Sequence, residues 1–347
     1  MKYLADSPYL LYLITFAVSL AVAFVATPLM RLIAVKFDIL DHPHTNIKTH
    51  RTPTPYLGGV AIWLGWTASL FAIRFFTHFP TGTLNSLRGM LWGSVAIIGL
   101  GLIDDILPKG MGFKNKFLFQ FIAALGLFLF NIQIHFISPY IAALVLSTIW
   151  VVGITNSFNI IDIMDGLSSG IAVVASLAFL FIALPTEQIY VNFSAAALAG
   201  GCLGFMPYNF SKKYKIFMGD TGSLMIGFIL AAISMGTSYT KINDAGLLAP
   251  LLILAIPIYD TILVMIIRLR KGKSPFLGSK DHFALRLEAM GFSRKRILVV
   301  TYSASAALAL GAFLITRLPL AWSIGILALI VAAALKVSHK LTKIEMK

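Results

Sequence analysis

Charged residues are scarce in this sequence, and cysteine is almost absent. Only 12% of the 347 residues are charged, whereas a soluble globular domain is roughly a quarter charged. An intrinsically disordered chain is excluded, because disorder requires low hydrophobicity and high charge. The single cysteine, Cys202, lies in an apolar stretch, so no internal disulfide can form.

Apolar residues make up 58% of the chain, and the mean hydropathy is +0.87. A membrane-spanning helix needs about 20 mostly apolar residues. The candidate spans are 9–30, 57–76, 88–104, 116–132, 138–155, 167–184, 191–208, 221–238, 247–267, 297–316 and 320–338. They predict an all-α, polytopic integral membrane protein with about 11 transmembrane helices and a single domain over residues 1–347. The first apolar run, from about Tyr9, is too long for a signal-peptide core, so we expect no cleavable signal peptide.

Basic residues are distributed unevenly between the two sets of loops. One set contains 23 of the 28 Lys and Arg residues, and the rest of the chain contains 5. This basic set comprises loops 31–56, 104–116, 155–167, 209–220 and 268–296 and the tail 336–347. Because cytoplasmic loops are enriched in Lys and Arg, the N-terminus is predicted outside and the C-terminus in the cytoplasm. The same rule accounts for the net charge of +14, so we expect no nucleic-acid partner.

Six aspartates that belong to short polar motifs all lie on the predicted cytoplasmic side. They are Asp104, Asp105, Asp162, Asp165, Asp220 and Asp281. Any one of them alone is equally well interpreted as a solvated interfacial carboxylate. The adjacent pair Asp104-Asp105 is less easily explained in this way, because neighbouring like charges cost energy without a cation such as Lys114 or Lys116 nearby. Asp260 lies inside span nine, where we expect it to be a helix-packing or hydrogen-bonding partner.

Asparagine and aspartate recur every third residue between spans five and six, at Asn156, Asn159, Asp162 and Asp165. This spacing places them on one face if the segment is helical. Their oxygen atoms suit Mg²⁺ and not zinc. Asp220 lies beside glycines at a predicted helix start, where backbone N–H groups can meet an anion, although an ordinary N-cap is the alternative.

Loop 268–296 is the most basic in the chain, with nine Lys and Arg residues. We expect most of them to meet lipid headgroups. His282 and Arg286 share a face if their segment is helical, although His282 by itself reads as an exposed loop histidine. Carboxylates, asparagines and dispersed cations on one side of the membrane indicate a phosphate-bearing substrate. Their place at the membrane interface indicates that one substrate is a lipid.

The chain resembles the polyprenyl-phosphate N-acetylhexosamine-1-phosphate transferases (the MraY/WecA/TagO superfamily, glycosyltransferase family 4). The matching motifs are, in order, THRTPTPYLGG, GLIDDI with KNKFLFQ after it, NSFNIIDIMDGL, FMGDTGSL and SPFLGSKDHFALR. The resemblance runs from about Lys48 to Arg286. It implies an enzyme that transfers a sugar 1-phosphate, such as N-acetylglucosamine 1-phosphate, from a UDP-sugar to undecaprenyl phosphate and releases UMP.

The resemblance also implies a cofactor and a set of site residues. Mg²⁺, for which Mn²⁺ can substitute, would be held by Asp220 with help from Asn159. The implied catalytic residues are Asp104, Asp105, Asp162 and Lys116, with Asp104 matching the carboxylate that activates the lipid phosphate. The implied substrate-binding residues are Lys48, Arg51, Asn156, Asp165, His282 and Arg286.

The sequence departs from the family pattern at three places, and the loss of histidines at the last of them favours the branch that starts O-antigen, teichoic-acid or related glycans. The run DDILPK lacks a third Asp, DIMDGL has Ile163 in place of a glycine, and DHFALR keeps only His282 and Arg286 of a histidine-rich motif. The alternatives are a UDP-MurNAc-pentapeptide transferase and, less favoured, a transporter for an anionic lipid or sugar. The expected location is the bacterial cytoplasmic (inner) membrane, with the active site facing the cytoplasm and a homodimer left open.

Overall fold

The structure, a computed structural model, describes residues 8–42, 52–107, 110–186, 189–240, 242–274, 279–344 and 346. These residues are mostly helical, as predicted. The helices are α1 Pro8–Lys36, α2 Gly58–Ile73, α3 Thr81–Ile106, α4 Phe113–Phe128, α5 Tyr140–Ile161, α6 Leu167–Ala183, α7 Ile189–Phe210, α8 Gly219–Gly236, α9 Ala249–Ile253, α10 Ala255–Arg270, α11 Phe283–Ala289, α12 Arg294–Ile315 and α13 Leu320–Thr342. Short 3₁₀ turns cover Leu184–Thr186 and Asp244–Leu248, and the strands β1 Leu40–Asp41 and β2 Thr54–Pro55 pair in antiparallel fashion.

Long apolar runs become helices here because a helix satisfies its backbone hydrogen bonds within its own segment, as the membrane interior requires. Each of the eleven predicted spans overlaps one helix or, for the ninth, the pair α9–α10. In the described part of the chain, seven helices are long and apolar enough to cross a membrane, or eight if the pair bent by 71° counts as one span. Helices α2, α4 and α6 have 16, 16 and 17 residues, which is short of a full span of about 20.

The break between α9 and α10 has a local cause. Pro257 has no N–H to donate to the carbonyl of Ile253, and its ring would clash with that carbonyl in a continuous helix. The chain turns at Leu254, whose φ of −98° and ψ of 14° are not helical. The proline therefore divides an apolar segment that hydropathy alone presents as one span.

The described residues divide into two compact units, one ending at Thr237 and the other beginning at Ser238. The prediction of one domain over 1–347 stays a prediction. In the first unit α8 lies at the centre, and every residue from Thr221 to Ser234 is buried. It packs against α2, α3, α5, α6 and α7. The start of α8 is thus held on several sides by other helices.

Two glycines allow the polypeptide backbones to come close at the start of α8. A Cβ at Gly101 of α3 would lie 2.5 Å from Thr221 Cα, so only glycine permits this approach. Gly219 has a φ of +71°, and a side chain there would overlap the Asp105 carboxylate. Gly58 N–H also donates to Phe217 O at 3.0 Å, which ties the start of α2 to the same place.

The second unit contains α9 to α13. Helix α12 packs against α9, α10, α11 and α13. Helix α13 is apolar, but only 6% of its apolar 18-residue stretch is buried. Its exposed side chains include Trp322, Leu329 and Leu335, as expected of a helix that faces lipid.

Candidate active site

Four segments of the first unit bring five of the predicted polar residues together. The end of α3 carries Asp104 and Asp105, and the start of α4 carries Lys116. The last turn of α5 carries Asn159, and the first turn of α8 carries Asp220. Residues that are far apart in sequence thus form one polar cluster.

Lys116 bridges two carboxylates of this cluster. Its Nζ lies 2.8 Å from Asp104 Oδ2 and 2.5 Å from Asp220 Oδ2. The three side chains are 11–26% exposed, so they are partly shielded from water yet reachable. The ammonium group stabilises two close negative charges that would otherwise repel each other. It is also placed to meet an anion that enters the cluster.

Asp105 has a different environment from its neighbour. Its Oδ1 accepts a hydrogen bond from Asp220 N at 2.9 Å, and its Oδ2 accepts from Thr221 N at 3.0 Å and Thr221 Oγ1 at 2.7 Å. The N-cap residue of α8, Met218, provides no side-chain cap. Asp105 therefore caps α8 from another helix and satisfies N–H groups that lack partners within α8. The N-cap interpretation of Asp220 is wrong, because Asp220 lies inside the first turn.

Asn159 contacts the other side of Asp220. Its Nδ2 donates to Asp220 Oδ1 at 2.9 Å and to Ser223 Oγ at 3.0 Å. Rotation of this amide by half a turn would present its oxygen in the same place. Asn159 can therefore stabilise Asp220 as a donor or join it as an oxygen ligand.

Asp162 is the carboxylate of this region that has no hydrogen bond or ion pair with any described residue. It follows the last residue of α5 and is partly buried. Burial raises the pKa of Asp162 to about 8, and the negative charges of Asp220, Asp165 and Asp105 add to the effect. A carboxyl group with this pKa exchanges its proton near neutral pH, where a general acid or base works best.

The three-residue repeat does not place its four members on one helical face. Helix α5 ends at Ile161, so Asp162 and Asp165 lie beyond it. Asn156 donates to Gln120 Oε1 of α4 at 2.5 Å and to Val152 O of its own helix at 2.7 Å. Asp165 pairs with Lys215. The turn that follows the helix separates the carboxylates from the asparagines.

The basic motif residues lie in the second unit. His282 is buried, and its Nδ1 lies 2.7 Å from Asp260 Oδ2, so it is not an exposed loop histidine. Asp260 also accepts from Phe283 N at 2.7 Å, which confirms it as a hydrogen-bonding partner. Both contacts stabilise the start of α11. Lys48 and Arg51 lie outside the described residues.

Arg286 is 2% exposed and donates to four groups within the second unit. Its guanidinium donates to the Asp281 carboxylate at 2.8 Å, and to the carbonyl oxygens of Asp281, Leu341 and Ile344. Burial acts to raise the pKa of Asp281, but the hydrogen bond and charge of Lys271 and the charge of Arg286 hold it below its ordinary value. The phosphate contacts predicted for His282 and Arg286 stay a prediction.

Known proteins resemble this chain over most of its length. The model of Glycosyl transferase family 4 matches residues 87–238. A probable undecaprenyl-phosphate N-acetylglucosaminyl 1-phosphate transferase of Bacillus subtilis is 31% identical over 306 residues, covering 86% of this chain and 83% of that protein. The chain belongs to glycosyl transferase family 4. The resemblance seen in the sequence motifs is confirmed.

Two further relatives have names that describe different sugar donors. A decaprenyl-phosphate N-acetylglucosaminephosphotransferase of Mycobacterium leprae is 29% identical, covering 81% of this chain and 78% of that protein. A phospho-N-acetylmuramoyl-pentapeptide-transferase of Listeria monocytogenes is 34% identical, but covers only 64% of this chain and 74% of that protein. The N-acetylglucosamine-type relatives thus match a longer part of the chain.

Several partners in this family-4 site were not predicted from the sequence. They are Thr221, Ser223, Gln120 and Lys215. Gln120 is one helical turn after Lys116 in an apolar helix, and this spacing could have indicated a polar partner for it. Thr221 and Ser223 flank a glycine in GDTGS, and hydroxyl residues are common at the start of a helix, so the sequence alone does not single them out.

The residues around Asp220 have the oxygen-donor chemistry that a divalent cation such as Mg²⁺ requires. In the part of the chain that the structure describes, no group of three or more His, Cys, Asp or Glu residues is arranged to hold a metal. Mg²⁺ needs fewer protein ligands, because it commonly binds one or two carboxylates together with waters and phosphates. The Asp104 and Asp220 oxygens already converge on a cation, the Lys116 ammonium. The donor set therefore suits Mg²⁺ bound together with a phosphate.

Proposed function

We propose that this protein transfers N-acetylglucosamine 1-phosphate from its UDP-sugar to undecaprenyl phosphate and releases UMP. The main support is that the Lys116 ammonium group lies between Asp104 and Asp220, beside a helix start that Asp105 caps. The relatives named as N-acetylglucosaminyl 1-phosphate transferases support the sugar and the lipid acceptor. The product is the first lipid-linked sugar of a cell-envelope glycan such as O-antigen or teichoic acid.

The reaction joins two anions, and the cluster is suited to that task. An oxygen of the lipid phosphate attacks the β-phosphorus of the UDP-sugar, the bond from that phosphorus to UMP breaks, and a diphosphate forms. No enzyme-linked intermediate is needed, because the lipid phosphate is itself the nucleophile. Lys116 offsets the repulsion between the phosphates. Asp104 orients the lipid phosphate or removes its remaining proton.

Mg²⁺ is proposed as the cofactor, with Asp220 and Asn159 as its protein ligands. Two arguments support this: the donors are oxygen atoms, and Asp220 already binds a cation, the ammonium group of Lys116. When bound, Mg²⁺ supplies additional charge neutralisation at the donor phosphates. Asp105 contributes by fixing the first turn of α8, and therefore the direction of Asp220.

The peptidoglycan alternative has less support. The N-acetylmuramoyl-pentapeptide transferase of Listeria aligns with 64% of the chain, against 86% for the Bacillus relative. The transporter alternative requires an inverted repeat, and the sequence shows none. A UDP-sugar panel that includes UDP-MurNAc-pentapeptide decides between the two transferase activities.

The proposed topology has eleven spans, with the N-terminus outside and the active site facing the cytoplasm of the inner membrane. The overlap of every predicted span with an apolar helix supports the number, and the 23 basic residues in one set of loops support the orientation. Lys343→Cys in a Cys202→Ala background should resist a membrane-impermeant thiol reagent in intact cells. Ready labelling would show that the span count is wrong by one.

A UMP-release assay with purified protein tests the function. We would supply undecaprenyl phosphate and a panel of UDP-sugars, with Mg²⁺ and after chelation. Release should be fastest with UDP-N-acetylglucosamine and should cease after chelation. Lys116→Gln should lower turnover on the order of 10²–10³-fold, the range for loss of one preorganised charge-stabilising donor.

Lys114→Gln is the matched control for this assay. Lys114 is exposed, lies two residues from Lys116 and has no ion pair with any described residue. It carries the same charge, so a general electrostatic effect would lower both variants equally. Near-normal turnover of Lys116→Gln, or full activity after rigorous chelation, would contradict the proposed chemistry.

A further inference from the structure

A pocket lies in the first unit, away from the active-site residues Asp104, Asp105, Lys116, Asn159 and Asp220, here called the acidic cluster. It has a volume of about 580 Å³ and lies between the end of α2 and the first half of α3. Its walls are mostly apolar, with two arginines among them, Arg74 and Arg88. The volume is in the range of small-molecule sites, which are typically about 300–1,000 Å³.

The pocket lies at the opposite end of α3 from the active site. Arg88 precedes Asp104 by 16 residues of one continuous helix, which corresponds to about 24 Å at 1.5 Å per residue. The hydrocarbon core of a membrane is about 30 Å thick. Arg74 directly follows α2, whose first residues lie beside Phe217 near the active site. The two arginines are therefore near the membrane boundary opposite the acidic cluster.

Neither arginine has a counter-charge within the part of the chain that the structure describes. The side chains of Arg74 and Arg88 are exposed, and their guanidinium groups form no hydrogen bond or ion pair there. Two such cations beside an apolar wall attract an anion, and the planar guanidinium group matches the geometry of phosphate oxygens. The pocket thus offers a phosphate-binding edge.

The apolar wall indicates that the phosphate belongs to a lipid. Phe71 is 59% exposed and Phe75 is 87% exposed beside the arginines. Such aromatic side chains at a membrane boundary suit acyl chains, and a free phosphate ion would gain nothing from them. We propose that this pocket binds an anionic phospholipid of the leaflet opposite the active site, with its phosphate between Arg74 and Arg88.

Photo-crosslinking of the full-length protein tests this site. Phosphatidylglycerol and phosphatidylcholine, each with a photoreactive acyl chain, would be added below saturation to protein in neutral detergent. Crosslinks would be mapped by peptide sequencing to residues 67–91. We expect phosphatidylglycerol to label this segment, and Arg74→Gln/Arg88→Gln to weaken labelling about 30-fold. This factor corresponds to about 2 kcal/mol at 1.4 kcal/mol per tenfold change, or about two cations at an anionic surface.

Three comparisons make the result decisive. Arg317→Gln, which removes one arginine charge at a residue outside the pocket, should leave labelling unchanged, and each single pocket variant is its equal in charge. Arg74→Lys/Arg88→Lys keeps the charge without the fork and should show an intermediate loss. Excess inorganic phosphate should not displace the lipid. Equal labelling by phosphatidylcholine, unchanged labelling of the glutamine variant, or full displacement by phosphate would overturn the proposal.

This inference depends on the membrane-spanning helices and not on the transfer reaction. UMP release by the glutamine variant is measured in parallel and should stay near the wild-type value, because neither arginine belongs to the acidic cluster. Loss of lipid labelling with normal turnover supports the lipid site alone. Absence of UMP release from the wild-type protein would contradict the proposed function without affecting the lipid result.

Discussion

Asp104 and Asp105 are adjacent and chemically identical, yet we expect their replacement by asparagine to have different effects. Asp105 accepts three hydrogen bonds from the first turn of α8. Asp104 accepts one from Met111 N and pairs with Lys116. Asp105→Asn should therefore act mainly on stability, and Asp104→Asn mainly on turnover.

The size of the stability effect follows from the contacts of Asp105. A hydrogen bond to a charged group contributes about 1.5–3 kcal/mol. An asparagine keeps one acceptor oxygen, and its NH₂ group would face at least one N–H donor. We therefore expect Asp105→Asn to lower the free energy of unfolding by about 2–4 kcal/mol. Thr221→Val, which removes only the hydroxyl donor, should cost about 1.5 kcal/mol.

Asp104→Asn should cost only about 1 kcal/mol of stability, because its ion pair is partly exposed and Lys116 keeps Asp220 as a partner. Its turnover should fall on the order of 10²–10⁴-fold if the carboxylate removes the lipid phosphate proton. This deficit should shrink at higher pH, where a phosphate monoester with a second pKa near 6 is already a dianion.

The assay measures the free energy of unfolding in detergent by denaturant titration, and UMP release per folded molecule from pH 6 to 9. A double mutant cycle of Asp105→Asn with Thr221→Val should give a coupling of about 1 kcal/mol. Wild-type stability in Asp105→Asn would refute the capping role. A large Asp104→Asn deficit that does not change with pH would leave positioning and exclude the base role.

Three further predictions concern other parts of the site. The folded-state pKa of Asp162 is raised from 3.8 to about 8, so its contribution to wild-type stability should be lost as pH rises through about 8 and should change little above that. Thermal melts of Asp162→Asn should show a smaller decline between about pH 6 and 8. Asp281→Asn should lower the free energy of unfolding by about 3 kcal/mol, because it leaves the buried Arg286 without its carboxylate. In the wild-type protein, this stabilisation should be lost only as pH falls through the Asp281 pKa, which lies below its ordinary value of 3.8. Gln120→Leu should lower turnover about tenfold with a near-normal KM, because the hydrogen bond between Gln120 and Asn156 fixes α4 one helical turn after Lys116. The control Gln120→Asn should keep part of the activity.

The helical fold could be predicted from composition and hydropathy. A chain with 12% charged residues and long apolar runs has one stable solution in a membrane, the helix, because every backbone polar group must be satisfied within the segment. Each predicted span accordingly overlaps an observed helix or bent pair. The bend at Leu254 was not predicted, because its proline lies inside a run whose hydropathy is continuous.

The chemistry of the site was also accessible from the sequence, since so few acidic residues occur in an apolar chain. The involvement of Asp104, Asp105, Asp220 and Lys116 was anticipated from their motifs and their common side of the membrane. Their separate contacts were not, because Asp104 and Asp105 carry the same functional group at adjacent positions. Only the direction in which each side chain leaves α3 decides that Asp105 meets the α8 N–H groups while Asp104 meets Lys116.

Tertiary structure likewise decided the contacts of His282 and Asp162. The sequence shows His282 in a basic loop, but the chain brings it against Asp260, 22 residues earlier, because that buried carboxylate needs partners that local sequence does not supply. Asp162 falls outside the face shared by Asn156 and Asn159 because α5 ends one residue before it. Sequence spacing specifies which residues share a face only while the helix continues, and packing determines where it ends.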